Sequence, residues 1–218
     1  MCAISDLYPE SRPFESEHMT PDQAQTPSTS NASTIFEDIV TPRLDLIAVS
    51  NESLLIQKAD RPEMRAELGR RIGAHVPAGW PHENWEPHVY EYLLNLFAES
   101  PEAMGWCRYI ALRHDGGRTL IGSVGSGFPK AETGEVEIGY GILPEWQRQG
   151  IAPEAVMALL PWLESRREIR GFVAQTFPHL RGSIRVLEKA GFEPAGAGFE
   201  EGTILFRRGP VNTRTDRD

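Results

Sequence analysis

Cysteine is nearly missing from this chain: the 218 residues contain only Cys2 and Cys107. Two cysteines so placed, one near the start and one inside an apolar stretch, do not make a disulfide framework, and free thiols in a reducing cytoplasm are expected. None of the six histidines falls into a metal-ligand spacing, so no metal is expected. No run approaches the ~20 apolar residues that a membrane span needs. A basic segment followed by an apolar one is also missing at the start, so no secretory signal is read. The expectation is a cytoplasmic protein with no membrane partner. Basic charge is scarce as well, with 22 Lys and Arg against 31 Asp and Glu and a formal net charge of −9. This argues against nucleic acid as a partner, because such binding relies on basic side chains displacing counterions from phosphates.

What is present is enough for one substantial domain. The stretch Met19–Thr34 (MTPDQAQTPSTSNAST) is almost wholly polar, small or Pro and cannot bury enough apolar surface to offset its ordering entropy. Residues 1–34 are therefore read as a disordered polar leader, residues 36–208 as the folded unit, and 209–218 as a polar tail. The folded unit reads as mixed α and β. A first strand is expected over Arg43–Val49, a helix capped by Asn51, and a second over Pro62–Ile72. A Pro- and Trp-containing loop follows at 76–87, then a helix through Tyr90, Leu93, Leu94 and Phe97. Strands are expected at Trp106–Leu112, Thr119–Phe128 and Glu135–Leu143, the first two joined at Asp115-Gly116-Gly117. A helix should run from Gly150 to about Arg166, kinked or shortened at Pro161. Strand Gly171–Thr176, a short helix ending at Gly191, and strands at Phe192–Pro194 and Thr203–Arg207 complete the series.

The most informative residues are Gly139–Ala155 (GYGILPEWQRQGIAPEA), in which a strand ends, a Pro-Glu turn follows and Gln147–Ala152 leads into a helix. Unpaired N–H groups at a helix start, with the helix dipole behind them, make an anion site. Gly150 allows close approach of backbone to a pyrophosphate, Ala152 keeps the helix entry uncluttered, and Arg148 can add a charged donor. A lone glycine before a helix is about as often only a turn. The motif Gln147-x-x-Gly150-x-Ala152 is similar to the acyl-CoA motif, Q/R-x-x-G-x-G/A, of the GNAT acetyltransferases. The longer EIGYGILPEWQRQGIAPEA resembles their ribosomal-protein alanine acetyltransferase branch, as do Ser183–Phe192 (SIRVLEKAGF) and Thr41–Leu46 (TPRLDL), so the likeness spans about residues 41–208.

The resemblance implies the GNAT acyl-CoA N-acyltransferase fold: an α+β domain with a twisted, mostly antiparallel sheet whose central strands splay apart. It implies acetyl-CoA as co-substrate, its pyrophosphate on the amides of Arg148, Gln149, Gly150, Ile151 and Ala152, its pantetheine arm along Glu137–Leu143, and Gln147, Ile142 and Leu143 among the cofactor-binding residues. Glu137 would be the base that takes a proton from the amine, directly or through water, with Glu135 as fallback; a paired structural carboxylate is the competing reading. A main-chain N–H around Gly141–Leu143 would hold the oxyanion. Ser183 would lie near the CoA sulfur, its alternative role being to stabilise a helix start. The family's T-x-P-x-N-x-x-S turn reads here Thr176-Phe177-Pro178-His179-Leu180-Arg181-Gly182-Ser183. Leu180 thus replaces an Asn that helps to hold pantetheine, and His179 reads as ordinary surface. Trp80, His82, Trp85 and His88 would lie near an acceptor pocket or pack over the core. The acceptor is a primary amine, of a protein N-terminus or a small molecule, and a homodimer is common in that family. An acyl-CoA-binding domain without catalysis and an unrelated phosphate-binding module are the rival readings.

Overall fold

The structure is a computed structural model that describes residues 37–209 apart from 84, 131 and 167. The leader 1–34, the tail beyond Gly209 and Cys2 lie outside the described residues. The strands are β1 (Ile39–Val40), β2 (Leu44–Ala48), β3 (Cys107–His114), β4 (Gly117–Ser126), β5 (Glu135–Ile142), β6 (Gly171–Thr176), β7 (Glu193–Ala197) and β8 (Ile204–Arg208). The α-helices are α1 (Asn51–Lys58), α2 (Met64–Ile72), α3 (Pro87–Glu99), α4 (Ile151–Glu164) and α5 (Arg181–Lys189). All strands join one eight-stranded sheet in the order β1-β2-β3-β4-β5-β6-β8-β7. Every neighbouring pair is antiparallel except β5 with β6, which are linked through α4. A parallel pair needs such a crossover, because a short turn cannot return the chain to the same end of the sheet.

The register of β5 opens the sheet. Glu135–Glu137 pair with Gly171–Val173 of β6, whereas Ile138–Ile142 pair with β4 alone. Beyond Val173, β6 continues as Ala174–Thr176 paired only to β8. The two central strands therefore part after Glu137, and a wedge opens between the second half of β5 and the end of β6. The start of α4 follows this open end in the chain, and α4 packs on β4, β5 and α5. Its buried stripe of Ile151, Ala155, Val156, Leu159, Leu160 and Leu163 has the spacing of a helix face directed at the core.

Several boundaries differ from the sequence expectation. Helix α1 is capped by Ser50, not Asn51: Ser50 and Ser53 form a reciprocal capping box, with Asn51 the first helical residue. Helix α2 begins at Met64, two residues past Pro62. Pro161 does not end α4, which continues to Glu164, two residues short of the expected Arg166. The carbonyl deprived of its donor belongs to Met157, an exposed residue of the helix. Strand β1 carries too few residues to show a period.

Candidate functional site

Main-chain geometry shapes the end of the wedge. After β5, Pro144–Trp146 form a single 3-10 turn, Arg148 and Gly150 both take positive φ (61° and 75°), and α4 starts without a side-chain cap. Gly150 tolerates this conformation without strain; Arg148, carrying a Cβ, does not adopt it freely. Among the described residues, the N–H groups of Arg148, Gln149, Gly150, Ile151 and Ala152 have no acceptor in the protein. Arg148, Gln149 and Gly150 are exposed, Ala152 is half-buried and Ile151 is buried. Uncapped, outward donors at the start of a helix of this length favour an anion, through both hydrogen bonds and the dipole. Side chains brace the turn from behind: Gln147 Nε2 donates to the Ile142 carbonyl at 2.9 Å and Gln149 Nε2 to the Glu145 carbonyl at 3.1 Å.

Strand β5 presents two different faces and a fixed main-chain phase. The bonds Gly127 N–H to Glu137 O (2.9 Å) and Leu143 N–H to Ile121 O (2.8 Å) show that odd-numbered residues turn their main-chain groups to β4. The N–H and carbonyl of Ile142 accordingly point the other way, into the wedge. Leu143 and Ile142 are buried at its open end. On one face lie Glu137, Gly139 and Gly141; on the other lie Val136, Ile138 and Tyr140. Glu137 is half-buried, at the last rung shared with β6. Its neighbour on that face, Glu135, is ion-paired with Arg207, with Nε and Oε1 2.7 Å apart.

Tyr140 bridges the opposite face to α5, its hydroxyl lying 3.1 Å from Ser183 Oγ and 3.2 Å from the Ser183 carbonyl. Ser183 is the third residue of α5 and is buried; the cap position is Leu180, whose side chain offers no bond. The helix-start role considered for Ser183 is thus not the one it plays. Tyr140, contained in the EIGY segment, is its partner, a pairing across 43 positions that no local pattern announces. Across the wedge, the Thr176 hydroxyl is buried with no hydrogen-bond partner among the described residues. His179 stacks on the exposed Phe177 at 5.6 Å between centroids, on the surface as expected.

The Pro- and Trp-containing segment lies on the Glu137 face. Trp80, His82 and Trp85 are buried, so none of them is an open aromatic wall. His82 Nε2 lies 2.8 Å from Ser123 Oγ, to which Trp85 Nε1 also donates at 3.1 Å. Ser123 pairs with Gly141 across the β4–β5 ladder, and the His82 ring lies directly over Gly141: a Cβ there would meet it at 2.5 Å. Burial pushes the His82 imidazole down to about 4, leaving it neutral near pH 7. Behind it, Trp80 Nε1 donates to Gln57 Oε1 (2.7 Å), Gln57 Nε2 to Tyr109 OH (2.5 Å) and Tyr109 OH to Ser53 Oγ (3.0 Å). His88 sits 3.6 Å from Glu86 near the start of α3.

The arrangement can seat an anion at the helix start, pass a slender polyamide arm between separated strands, and offer main-chain donors and acceptors along it. Among the described residues no three His, Cys, Asp or Glu side chains converge as metal ligands, and no helix is long and apolar enough to cross a membrane.

Comparison with known proteins agrees with this geometry. The Acetyltransferase (GNAT) domain family matches residues 55–193, more than half of the chain. A curated relative, the uncharacterized N-acetyltransferase YjdG of Bacillus subtilis, is 24% identical over 153 residues, covering 67% of this chain and 90% of its own. Among solved structures, the ribosomal-protein-S5-alanine acetyltransferase of Vibrio fischeri superposes with a TM-score of 0.55 at 17% identity, covering 80% of this chain and 97% of that one. The ribosomal L7/L12 alpha-N-protein acetyltransferase RimL, in complex with coenzyme A, gives a TM-score of 0.52 at 19% identity, covering 79% and 98%. With its splayed α+β sheet and the domain match over most of its folded length, the chain belongs to the GNAT family and is an acetyl-CoA-dependent acetyltransferase.

Proposed function

We propose that the chain transfers the acetyl group of acetyl-CoA directly to a primary amine, on a protein N-terminus or a small molecule. The observation that carries this reading is the set of N–H groups at Arg148–Ala152 without an acceptor among the described residues, the first three on exposed residues, at the mouth of the wedge between β5 and β6. These groups would hold the pyrophosphate. The Thr176 hydroxyl, buried without a partner among the described residues, would serve a pantetheine amide, with Ile142 and Leu143 in contact with the arm. Acetyl-CoA supplies a thioester whose carbonyl carbon takes the amine nitrogen as the C–S bond breaks.

The protein's part is to arrange protons and charge. Glu137 accepts the proton of the incoming ammonium, directly or through one water, so that a neutral amine attacks. The Ile142 N–H, turned into the wedge, meets the negative charge that develops on the carbonyl oxygen. Ser183, already paired with Tyr140, stabilises the departing sulfur by a hydrogen bond. A protein N-terminus as acceptor is supported by the likeness to the S5-alanine and L7/L12 enzymes, whose names specify such substrates.

The substitution of Leu180 for the family's Asn favours a second reading, a CoA-binding domain of the same fold with weak or no turnover. Leu180 caps α5 without a side-chain bond, so nothing there replaces the missing amide. One assay separates the two. Acetyl-CoA is offered with a panel of peptide N-termini and small amines while free thiol is followed. Turnover that drops on the order of 10²-fold or more in Glu137→Gln, with CoA affinity unchanged, is the expected result. Tight CoA binding without turnover on any amine would favour the second reading.

A further inference from the structure

We propose that Arg43, Glu154 and Thr41 form a clasp that aims the anion-binding amides, so that this distant strand entry sets CoA affinity without being part of the loop. The inference rests on the assignment of residues 148–152 as the pyrophosphate site. Thr41 and Arg43 immediately precede β2, Arg43 standing 106 positions before Gln149, and the fold brings them against the loop. Arg43 Nη1 donates to the Gln149 carbonyl at 3.0 Å. Its Nε and Nη2 lie 2.7 Å and 2.6 Å from Glu154 Oε2. The other carboxylate oxygen, Oε1, accepts from Thr41 Oγ1 at 2.6 Å and from the Arg43 main-chain N–H at 3.2 Å. These bonds hold the Glu154 carboxyl below the usual carboxylate range, against the opposing effect of its partial burial.

Peptide planarity gives the clasp its consequence. The Gln149 carbonyl and the Gly150 N–H belong to one trans peptide unit and point in opposite directions. Tying the carbonyl back to Arg43 therefore turns the Gly150 N–H outward, toward the anion. Glu154 sits in the first turn of α4, where its charge would by itself repel a diphosphate. Arg43 neutralises that charge while using it as an anchor. Arg43 and Glu154 are positioning residues.

The two charges make the idea separable from simple electrostatics. CoA affinity is measured by calorimetry, and KM for acetyl-CoA and kcat by thiol release, for wild type, Arg43→Ala, Arg43→Lys, Glu154→Gln and the Arg43→Ala/Glu154→Gln double variant. A clasp predicts that each single variant weakens CoA by on the order of tenfold, the size expected for losing one charge-assisted bond at a partly exposed site. Lysine keeps the charge but lacks the fork, so Arg43→Lys should resemble Arg43→Ala. The double variant should be about as weak as either single one, and kcat at saturating acetyl-CoA should stay within about twofold. If Glu154→Gln binds CoA as well as wild type or tighter, Arg43 is acting as a free positive charge and the clasp is wrong. Affinity losses that vanish on cooling, in step with a lowered melting midpoint, would assign the residues to general stability and equally overturn it. Unchanged affinity in all variants sinks the clasp while sparing the site assignment. A wild-type chain that does not bind CoA removes both.

Discussion

The turn at residues 148–152 and the wall over Gly141 border the same strand but are built on opposite plans. The turn presents main-chain donors to solvent and leaves them unpartnered among the described residues, with side chains only bracing it from behind. The wall is made of side chains, and they are used up on one another: His82 and Trp85 meet at Ser123, while Trp80, Gln57, Tyr109 and Ser53 form a buried chain of hydrogen bonds. The contrast fits what each is proposed to do. A diphosphate is bound by N–H groups that any residue can supply, so geometry matters more than identity. A close-packed wall depends on shape and on satisfied polar groups, because an unpaired polar atom in low dielectric is costly. The turn should therefore fail in binding, and the wall should fail in folding.

The largest departure is expected from acid. His82 has its pKa depressed to about 4 by burial, against 6.5 for the free group. The unfolded chain then takes up a proton that the folded chain refuses, so stability is full above about pH 6.5 and falls as pH drops from there toward 4. A difference of this size is worth up to about 3 kcal/mol, and urea unfolding across that window should show it, with the slope removed in His82→Gln. A smaller effect, about 2 kcal/mol, is expected for Gly141→Ala, whose Cβ would press on the His82 ring at 2.5 Å. Its melting midpoint should drop, and the loss should shrink in the His82→Ala background; an unshifted midpoint would mean that the wall is looser than drawn.

On the other side of the comparison, Gly150→Val forces a branched residue into φ near 75° and disturbs the aim of the amides. Binding of CoA should weaken by roughly tenfold, about 1.4 kcal/mol, in addition to the drop in melting midpoint that the strained φ itself brings. The smallest change is expected for Ser183→Ala. Under the proposed assignment Tyr140 would remain beside the sulfur, so kcat should fall only about threefold, the size of one neutral hydrogen bond. A loss of 10²-fold would instead promote Ser183 to the principal proton donor.

How far these two regions were readable in the chain differs as much as their construction. The turn was legible because a strand run, a Pro-Glu break, Gly150 and an apolar helical stripe follow one another within a few residues. Strand Gly171–Thr176 was legible to the residue for the same reason, since a short apolar run with β-branched and aromatic members has one plausible period. The cap at Ser50 was missed by one position because serine and asparagine cap equally well and only the direction of the chain chooses between them. How α4 meets Pro161, through which it continues to Glu164, was not legible in full because the cost of a proline depends on whether the orphaned carbonyl faces water.

From the amino-acid order alone came the mixed α and β composition, the order of most elements, and the residues that can adopt the turn before α4, since these depend on local backbone preference and short periodicity. Tertiary structure alone decided that β5 leaves β6 after Glu137, that Arg43 reaches Gln149 and Glu154, that Tyr140 meets Ser183, and that His82 covers Gly141. Each of these joins residues far apart in the chain, and such pairs are selected by how packed elements fit against one another, which no short window of sequence contains.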